Sequence, residues 1–387
     1  MREVCIAGIG STTFGRHSAA TPQDLAAQAA RAAILEAGVA RSDIGAIYVG
    51  NFVSGVLTGQ EVLAGLLADH IGLGGVPATK VEGACASGGI AFRHAVIAVA
   101  SGLCEAALAV GTESMTHADT ATVTAALNCA MDHRSDGAAG LTYPGLFGLV
   151  WRAHAERYGT SRAEVAAVSV KNKRNGLRNP LASMGAEISL EEVAQSKPIA
   201  DPLTLYDCCG ISDGAAALLV TTTERAKEAE GLPIRVLATA QSSGPARIAG
   251  LDDLLSFPAT VRAAERAFAE SGLGPTNIDL VELHDCFSVA EIIDSEDLGV
   301  VPRGEGGRWA LDGRTAVGGE MPINPSGGLL AKGHPVGATG VGQIHEVVQQ
   351  LRGTHPNQVK DAGIGLTHNL GGTGISCTVS ILGRPDV

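Results

Sequence analysis

Four segments, three of them framed by glycines, hold the side chains able to do covalent or proton-transfer chemistry. In VEGACASGGI (81–90) an apolar run ends, small residues make a sharp turn, and an alanine-rich stretch begins with Cys85 at its start. The positive potential of a helix N-terminus lowers a thiol pKa, and flanking Gly and Ala leave room for a bulky acyl group. That suits a nucleophile, although the segment would also accept a small buried Cys packed between helix and sheet. In NPSGGLLAKGHPVGATG (324–340), His334 is fixed between Gly333 and Pro335. An imidazole on a rigid turn can activate a thiol, donate to a developing oxyanion, or merely satisfy a turn carbonyl.

In VELHDCFS (281–288), His284, Asp285 and Cys286 follow one another at the end of an apolar strand. Three titratable groups in a row at a strand terminus suit a site, yet an isolated His-x-Cys can also bind metal or decorate a loop. LTHNLGGTG (366–374) likewise ends a strand in His368 and Asn369, and the backbone N–H groups that follow could face a carbonyl oxygen. Lys171, Lys173, Arg174 and Arg178 could meet phosphates or form a solvated helix face. Adjacent cysteines such as Cys208 and Cys209 rarely form a comfortable disulfide.

These groups need a scaffold to bring them together. Apolar runs at 5–9, 46–50, 78–81, 106–111 and 215–221 read as strands, and alanine-rich stretches at 21–37, 88–101 and 225–230 as helices. Thr21 and Pro22 open the first helix in cap and first-turn positions. The later half repeats the pattern, with strands at 235–239, 280–283, 363–367 and 376–382 and helices at 258–271 and 340–351. Such alternation implies α/β layers around largely buried sheets. Residues 43–50 can be laid on 277–284 with apolar positions matching, and 85–88 on 337–340, each opening a helix. The pattern is an internal duplication, interrupted between 114 and 202 by an insertion carried in the first half.

Composition sets the limits. Of 387 residues, 45% are hydrophobic and 18% charged, which excludes a disordered chain. The 51 glycines follow no collagen period, so they belong at tight turns and close backbone approaches. A net charge of −12 argues against a nucleic-acid or anionic-membrane partner, while leaving room for a small anionic ligand on a local patch. The best candidate membrane span, 91–110, is interrupted by Arg93, His94 and Glu105. Eight scattered cysteines without a CxxC pair suggest neither a disulfide framework nor a zinc site, and point to a reduced, cytoplasmic protein.

Taken together, GACASGG, HDCFS, NPSGGLLAKGHPVGATG and HNLGGTG resemble the thiolase family, and within it the sterol-carrier-protein type that carries an HDCF motif. The likeness runs over nearly the whole chain. It implies a five-layered αβαβα fold of two similar halves: 1–113 and 203–231 form the N-terminal half, 114–202 an inserted loop domain that binds coenzyme A, and 232–387 the C-terminal half. It implies that Cys85 is acylated by a thioester and that His334 activates it and helps bind the thioester oxygen. Main-line thiolases take a second thiol from a C-terminal Cys-x-Gly segment; the resemblance implies that Cys286 takes over that acid/base role here, and that His284 stands where they have an Asn that anchors an oxyanion-hole water. Backbone N–H groups of Cys85 and of Gly371 or Gly372 would form an oxyanion hole, with His334 serving the thioester oxygen.

Cys209 falls where main-line thiolases place a pantetheine-contacting Ser, and with Lys173, Arg174, Arg178, His368 and Asn369 makes up the expected substrate and CoA contacts. The segment TYPGLFG (142–148) is expected to wall the acyl pocket. The implied reaction is ping-pong Claisen chemistry on a 3-oxoacyl-CoA, with cleavage favoured because nothing ties the chain to acetoacetyl-CoA synthesis. Coenzyme A arrives as substrate, and no metal or bound cofactor is expected. The resemblance also implies a homodimer and a small zinc-ribbon/OB-fold companion subunit. Two rivals are a CoA-ester retro-aldol lyase of the same fold, which Cys85 argues against, and a non-catalytic acyl-CoA-binding scaffold, which the retained reactive groups argue against.

Overall fold

Runs such as AALAVGTE and GAAALLVTT are apolar on both faces, a pattern that is stable only where both sides of a strand are covered. The computed structural model describes residues 2–387, the side chains of Lys227 and Glu228 excepted, and places both runs in the middle of a nine-stranded sheet. The first half contributes β1 (Val4–Ser11), α1 (Pro22–Ala37), β2 (Ile44–Gly50), α2 (Ser54–Leu57), α3 (Leu63–His70), β3 (Ala78–Val81), α4 (Ser87–Ala100) and β4 (Ala106–Glu113). Then come α5 (Thr120–Leu127), α6 (Tyr143–Tyr158), α7 (Arg162–Gly176), α8 (Leu190–Gln195) and the short strands β5 (Pro198–Ala200) and β6 (Leu203–Thr204), before β7 (Gly214–Thr222). The second half runs β8 (Ile234–Ser243), α9 (Pro258–Ser271), β9 (Leu280–Glu282), α10 (Ser288–Asp297), α11 (Gly306–Leu311), α12 (Gly328–Lys332), α13 (Val336–Arg352), β10 (Ile364–Gly371) and β11 (Ser376–Gly383).

Strand order shows the duplication directly. The sheet reads β3-β2-β4-β7-β1-β8-β11-β10-β9. With the separate β5–β6 pair left out of the count, each half places its first, fifth, fourth and second strands in turn outward from the β1–β8 seam. The third position is β3 on one side and the parallel bridge of Val281 to Ile323 on the other. The pairings also match: antiparallel, antiparallel, then parallel. The segments that align in sequence, β2 and β9, therefore occupy equivalent places.

Three helical layers enclose the two half-sheets. Phe92 and Val99 of α4 and Val341 and Ile344 of α13 pack between them, against Leu218 on one side and Leu382 on the other. Leu25 and Ala29 of α1 and Leu67 of α3 cover the outer face of the first half, while Ala263 of α9 and Ile292 of α10 cover that of the second. The order is αβαβα. Between β4 and β7 the chain is largely helical, and Leu146, Val150, Val165 and Val168 of α6 and α7 share the core of the second half.

Local signals explain most boundaries. Thr21 caps α1 in a reciprocal box with Asp24, and Pro22 fills its first turn. The helix expected at 225–230 is instead a 3-10 turn, Arg225–Glu228, because only a few residues separate β7 from the helix-breaking Gly231 and Pro233. Strand β10 runs on to Gly371 and so carries His368 and Asn369 inside the sheet. No described helix is long and apolar enough to cross a membrane.

The two central helices approach so closely that their first turns tolerate little but glycine. A Cβ on Gly88 would lie 2.9 Å from the Gly337 carbonyl oxygen, and one on Gly111 would lie 2.7 Å from Ala338 Cα. Gly111→Ala should therefore lower unfolding stability by about 1–3 kcal/mol, the usual effect of overpacking. Gly74, whose Cβ would meet nothing within 4 Å, provides the control, and Gly74→Ala should not lower it. Equal urea midpoints for the two variants would mean that the crossing has slack.

Candidate active site

The nucleophile turn is built before α4 begins. Ala84 adopts φ +52°, a left-handed conformation that an alanine holds only when its surroundings enforce it. Ser87 supplies the enforcement: its Oγ accepts from Gly83 N at 3.0 Å and donates to Ala84 O at 2.6 Å. Cys85 thus sits on a 3-10 turn, Ala84–Ala86, that runs straight into α4. The end of β10 presses against this turn, where a Cβ on Gly371 would meet Gly83 O and lie 3.0 Å from Ala86 N. Gly372, at φ +62°, then swings its N–H toward the sulfur and lines the pocket, which Gly371 does not. The N–H groups of Gly372 and Cys85 both favour a thiolate, but burial outweighs them and pushes the Cys85 thiol up to about 12. This reverses the expectation of a depressed pKa at a helix start.

Two imidazoles face that sulfur in complementary tautomers. His334 lies between α12 and α13, its backbone N–H bonded to Gly210 O at 2.9 Å. Thr339 Oγ1 donates to Pro335 O (3.2 Å), so it accepts from His334 Nδ1–H at 2.7 Å. This leaves His334 Nε2 as a bare lone pair, buried and without a partner in the structure. On His284 the polarity is opposite. Asn369 Oδ1 accepts from Gly89 N (3.2 Å), which turns its amide NH₂ toward His284 Nδ1 at 3.3 Å and leaves the proton on Nε2. The rings meet edge to face, with centroids 4.9 Å apart. The Cys85 sulfur and one nitrogen from each ring all fall within 4.8 Å of one another. Burial lowers the pKa of His334 to about 3 and holds that of His284 well below the usual range, His334 and His368 adding to the effect on His284.

The three titratable residues after β9 divide their work. His284 and Cys286 line the pocket, whereas Asp285 turns away, accepts from Leu329 N (2.7 Å), Leu330 N (3.3 Å) and Asn172 Nδ2 (2.8 Å), and anchors α12 ahead of the His334 turn. Burial, with Cys209 and Cys85 as neighbours, pushes the Cys286 thiol well above its ordinary value. Phe287 stacks on Phe147 at 4.7 Å. The pocket is a narrow, apolar cavity of about 80 Å³, with Phe52, Tyr143, Phe147 and Phe287 as its aromatic walls. Cys209 also lines it, and Cys209 N donates to Cys286 O at 3.0 Å.

Other candidates fall elsewhere. His368 is fully buried and bonded through Nε2 to Thr260 on α9 at 2.9 Å, so it faces an outer helix and not the pocket. Asn369 acts on His284 instead of lining the pocket. Lys171 is committed to Glu291 (3.0 Å) and Ile323 O (2.7 Å), and buried Lys173 donates to Met184 O at 3.0 Å. Arg174 pairs with Glu187 at 3.4 Å on the surface, and Arg178 is exposed.

Sequence reasoning missed Glu113. It ends β4 in full burial and accepts from Asn51 Nδ2 (2.7 Å), Phe52 N (2.9 Å) and Gly337 N (3.2 Å), tying a pocket loop to the start of α13. Burial raises its pKa to about 7. A lone acid closing an otherwise apolar strand was the available signal. Among the described residues, Cys85, His284 and His334 are also the set whose donors converge as metal ligands would, a soft cation being the match for one thiolate and two imidazoles.

Two family models account for the chain: the thiolase N-terminal domain over residues 4–224, and a thiolase C-terminal domain-like model over 240–384. The chain is 45% identical over 385 residues to an acetyl-CoA acetyltransferase of Methanothermobacter thermautotrophicus, covering 99% of this chain and 100% of the relative. It is 38% identical to the benzoylsuccinyl-CoA thiolase subunit BbsB of Thauera aromatica, covering 96% and 95%. Among solved structures, an Ltp2-ChsH2(DUF35) aldolase superposes with a TM-score of 0.84 at 29% identity, covering 99% of this chain and 98% of that one. With both halves of the fold matched and whole-length relatives at this identity, the chain belongs to the thiolase family and is an acyltransferase working on CoA thioesters.

Proposed function

We propose that the chain cleaves or forms a 3-oxoacyl-CoA in two half-reactions through an acyl group carried on Cys85. The observation that carries this reading is the convergence of the Cys85 sulfur with His284 and His334 in an apolar pocket that also holds Cys286. In cleavage, His334 Nε2 takes the Cys85 proton as the sulfur attacks the 3-oxo carbon. The oxyanion is met by the N–H groups of Cys85 and Gly372, an arrangement whose loss usually lowers rates by about 10²–10³. When the C2–C3 bond breaks, His284 Nε2–H and the newly protonated His334 stabilise the enolate oxygen, and Cys286 gives its proton to C2. Acetyl-CoA leaves. Incoming CoA returns a proton to Cys286 and attacks the acyl carbon; Cys85 departs and recovers its own proton from His334. Every proton is accounted for by the three side chains and CoA.

Run backwards, these steps give condensation, the direction suggested by the name of the Methanothermobacter relative. The helical segment 114–202 is proposed to hold CoA, with the exposed Arg174 and Arg178 as partners for its phosphates; Lys173 is already committed to a carbonyl. A homodimer and a small companion subunit are part of the proposal. The companion is supported by one relative named as a subunit and by another solved with ChsH2(DUF35). All eight cysteines are free thiols, which suits a reducing cytoplasm.

Three measurements bear on this reading. Cys85→Ala should abolish CoA-dependent cleavage of 3-oxoacyl-CoAs and the acyl adduct seen by intact mass. A retro-aldol lyase would instead cleave 3-hydroxyacyl-CoAs without CoA, would keep doing so as Cys85→Ala, and would leave Cys85 of the natural chain without an adduct. Cys286→Ala should still acquire the adduct from an acyl-CoA while carbon–carbon bond exchange falls by about 10²–10⁴, the usual reach of general acid–base catalysis; normal condensation in this variant would place the proton carrier elsewhere. Because the free Cys85 thiol is pushed up to about 12, its alkylation by iodoacetamide should climb about tenfold per pH unit from pH 7 to 10. A plateau below pH 9 would mean that the N–H groups outweigh burial.

A further inference from the structure

The aromatic wall of the acyl pocket carries one polar atom that the mechanism does not use. Tyr143 opens α6, whose first turn is fixed by Thr142 Oγ1 accepting from Gly145 N at 3.3 Å. Phe147, one turn on, stacks on Phe287 at 4.7 Å, and Phe287 adjoins Cys286. The ring of Tyr143 lies on this wall, and its hydroxyl oxygen is buried without a hydrogen-bond partner in the structure. Burial, with Cys85, Cys286 and Cys129 nearby, keeps the phenol protonated, so it can donate. A buried donor in an apolar wall discriminates sharply. An alkyl tail strands it, whereas a tail with an oxygen at the right place satisfies it. No Lys or Arg lines the pocket among the described residues, so a carboxylate on the tail would find no counter-charge.

Building on the acyl-Cys85 reading, we propose that the Tyr143 hydroxyl is the specificity donor of the acyl pocket, binding a neutral oxygen (ether, hydroxyl or ketone) carried by the acyl tail beyond the carbonyl that Cys85 attacks. The preferred substrates are then oxygenated acyl-CoAs, not plain fatty acyl-CoAs.

The test compares a 3-oxoacyl-CoA bearing an unbranched alkyl tail with analogues in which a single tail methylene is replaced by oxygen at successive positions. The readout is the ratio of kcat/KM for each analogue to that of the alkyl ester, in the natural chain and in Tyr143→Phe. At one oxygen position the natural chain should show a ratio of about ten, which falls to about one in Tyr143→Phe. Three results overturn the proposal: no position favoured in the natural chain, a preference that survives the substitution, or an equal loss on every ester with the ratio unmoved. The same comparison with uncleavable S-alkyl-CoA thioethers, read as dissociation constants for the natural chain, serves if the variant does not fold. It also separates the two readings. A chain that cleaves none of the esters fails the acyl-Cys85 scheme, while its thioether preference still decides Tyr143; equal affinities across the thioethers would remove the donor role.

Discussion

The structure depends on the backbone-to-backbone crossing of α4 and α13 between the two half-sheets. Each helix opens at the centre of the molecule, and each is preceded by a reactive residue: Cys85 before α4, His334 before α13. Side chains at the crossing would hold the helices at the usual 8–10 Å. Glycines at 88 and 337, and Gly111 on the strand beneath, let the first turns approach more closely and so bring the two preceding residues into one pocket. Glu113 fastens the arrangement by accepting an N–H from the Gly337 end of α13 while holding Asn51 and Phe52 of the first half. The pairing of thiol and imidazole is thus a consequence of duplication, because equivalent helix starts meet at the pseudo-twofold seam.

Dryness governs the rest of the chemistry. Burial drives both thiols toward the protonated form and both imidazoles toward the neutral one, so the resting site carries no net charge on these groups. Charge appears only when a proton moves, and it then appears in a low-dielectric space where fixed dipoles act strongly. What distinguishes the two histidines is not pKa but orientation. Thr339 leaves His334 with a lone pair to receive a proton, and Asn369 leaves His284 with an N–H to donate. A hydroxyl and an amide, both outside the pocket, therefore set the two tautomers, which is what the proposed roles of base and oxyanion donor require.

Much of this was legible in the sequence because glycine spacing and apolar runs respond to local constraints. The strands, the duplication and the segments bearing Cys85, Cys286 and His334 could all be read from such patterns. What escaped depends on partners distant in sequence. His368 and Asn369 look alike as polar residues ending a strand, yet one bonds to Thr260 on an outer helix and the other to His284. Lys171 and Lys173 look like a solvated basic run, yet they are drawn inward by Glu291 and a Met184 carbonyl. The thiol pKa was misjudged for the same reason: a helix start is visible in sequence, whereas the depth of burial that outweighs it is not.

The site also explains how the second thiol can sit on the β9–α10 connection and not after β10. The turn that follows β10 is crowded against the nucleophile: Gly371 lies on Gly83 and Ala86, and Gly372 must bend at positive φ to aim its N–H. With Cys286 supplied from the neighbouring strand end, this turn has only to provide an amide hydrogen. The polar residue just before it, Asn369, is then free to fix the tautomer of His284, two residues from Cys286. The Asn369–His284 bond joins the ends of adjacent parallel strands β9 and β10, so the thiol and the imidazole proposed as proton carrier and oxyanion donor ride on one short segment whose register is set by the sheet. In the proposed scheme the two groups therefore reach the pocket together, because any shift of this segment would displace both.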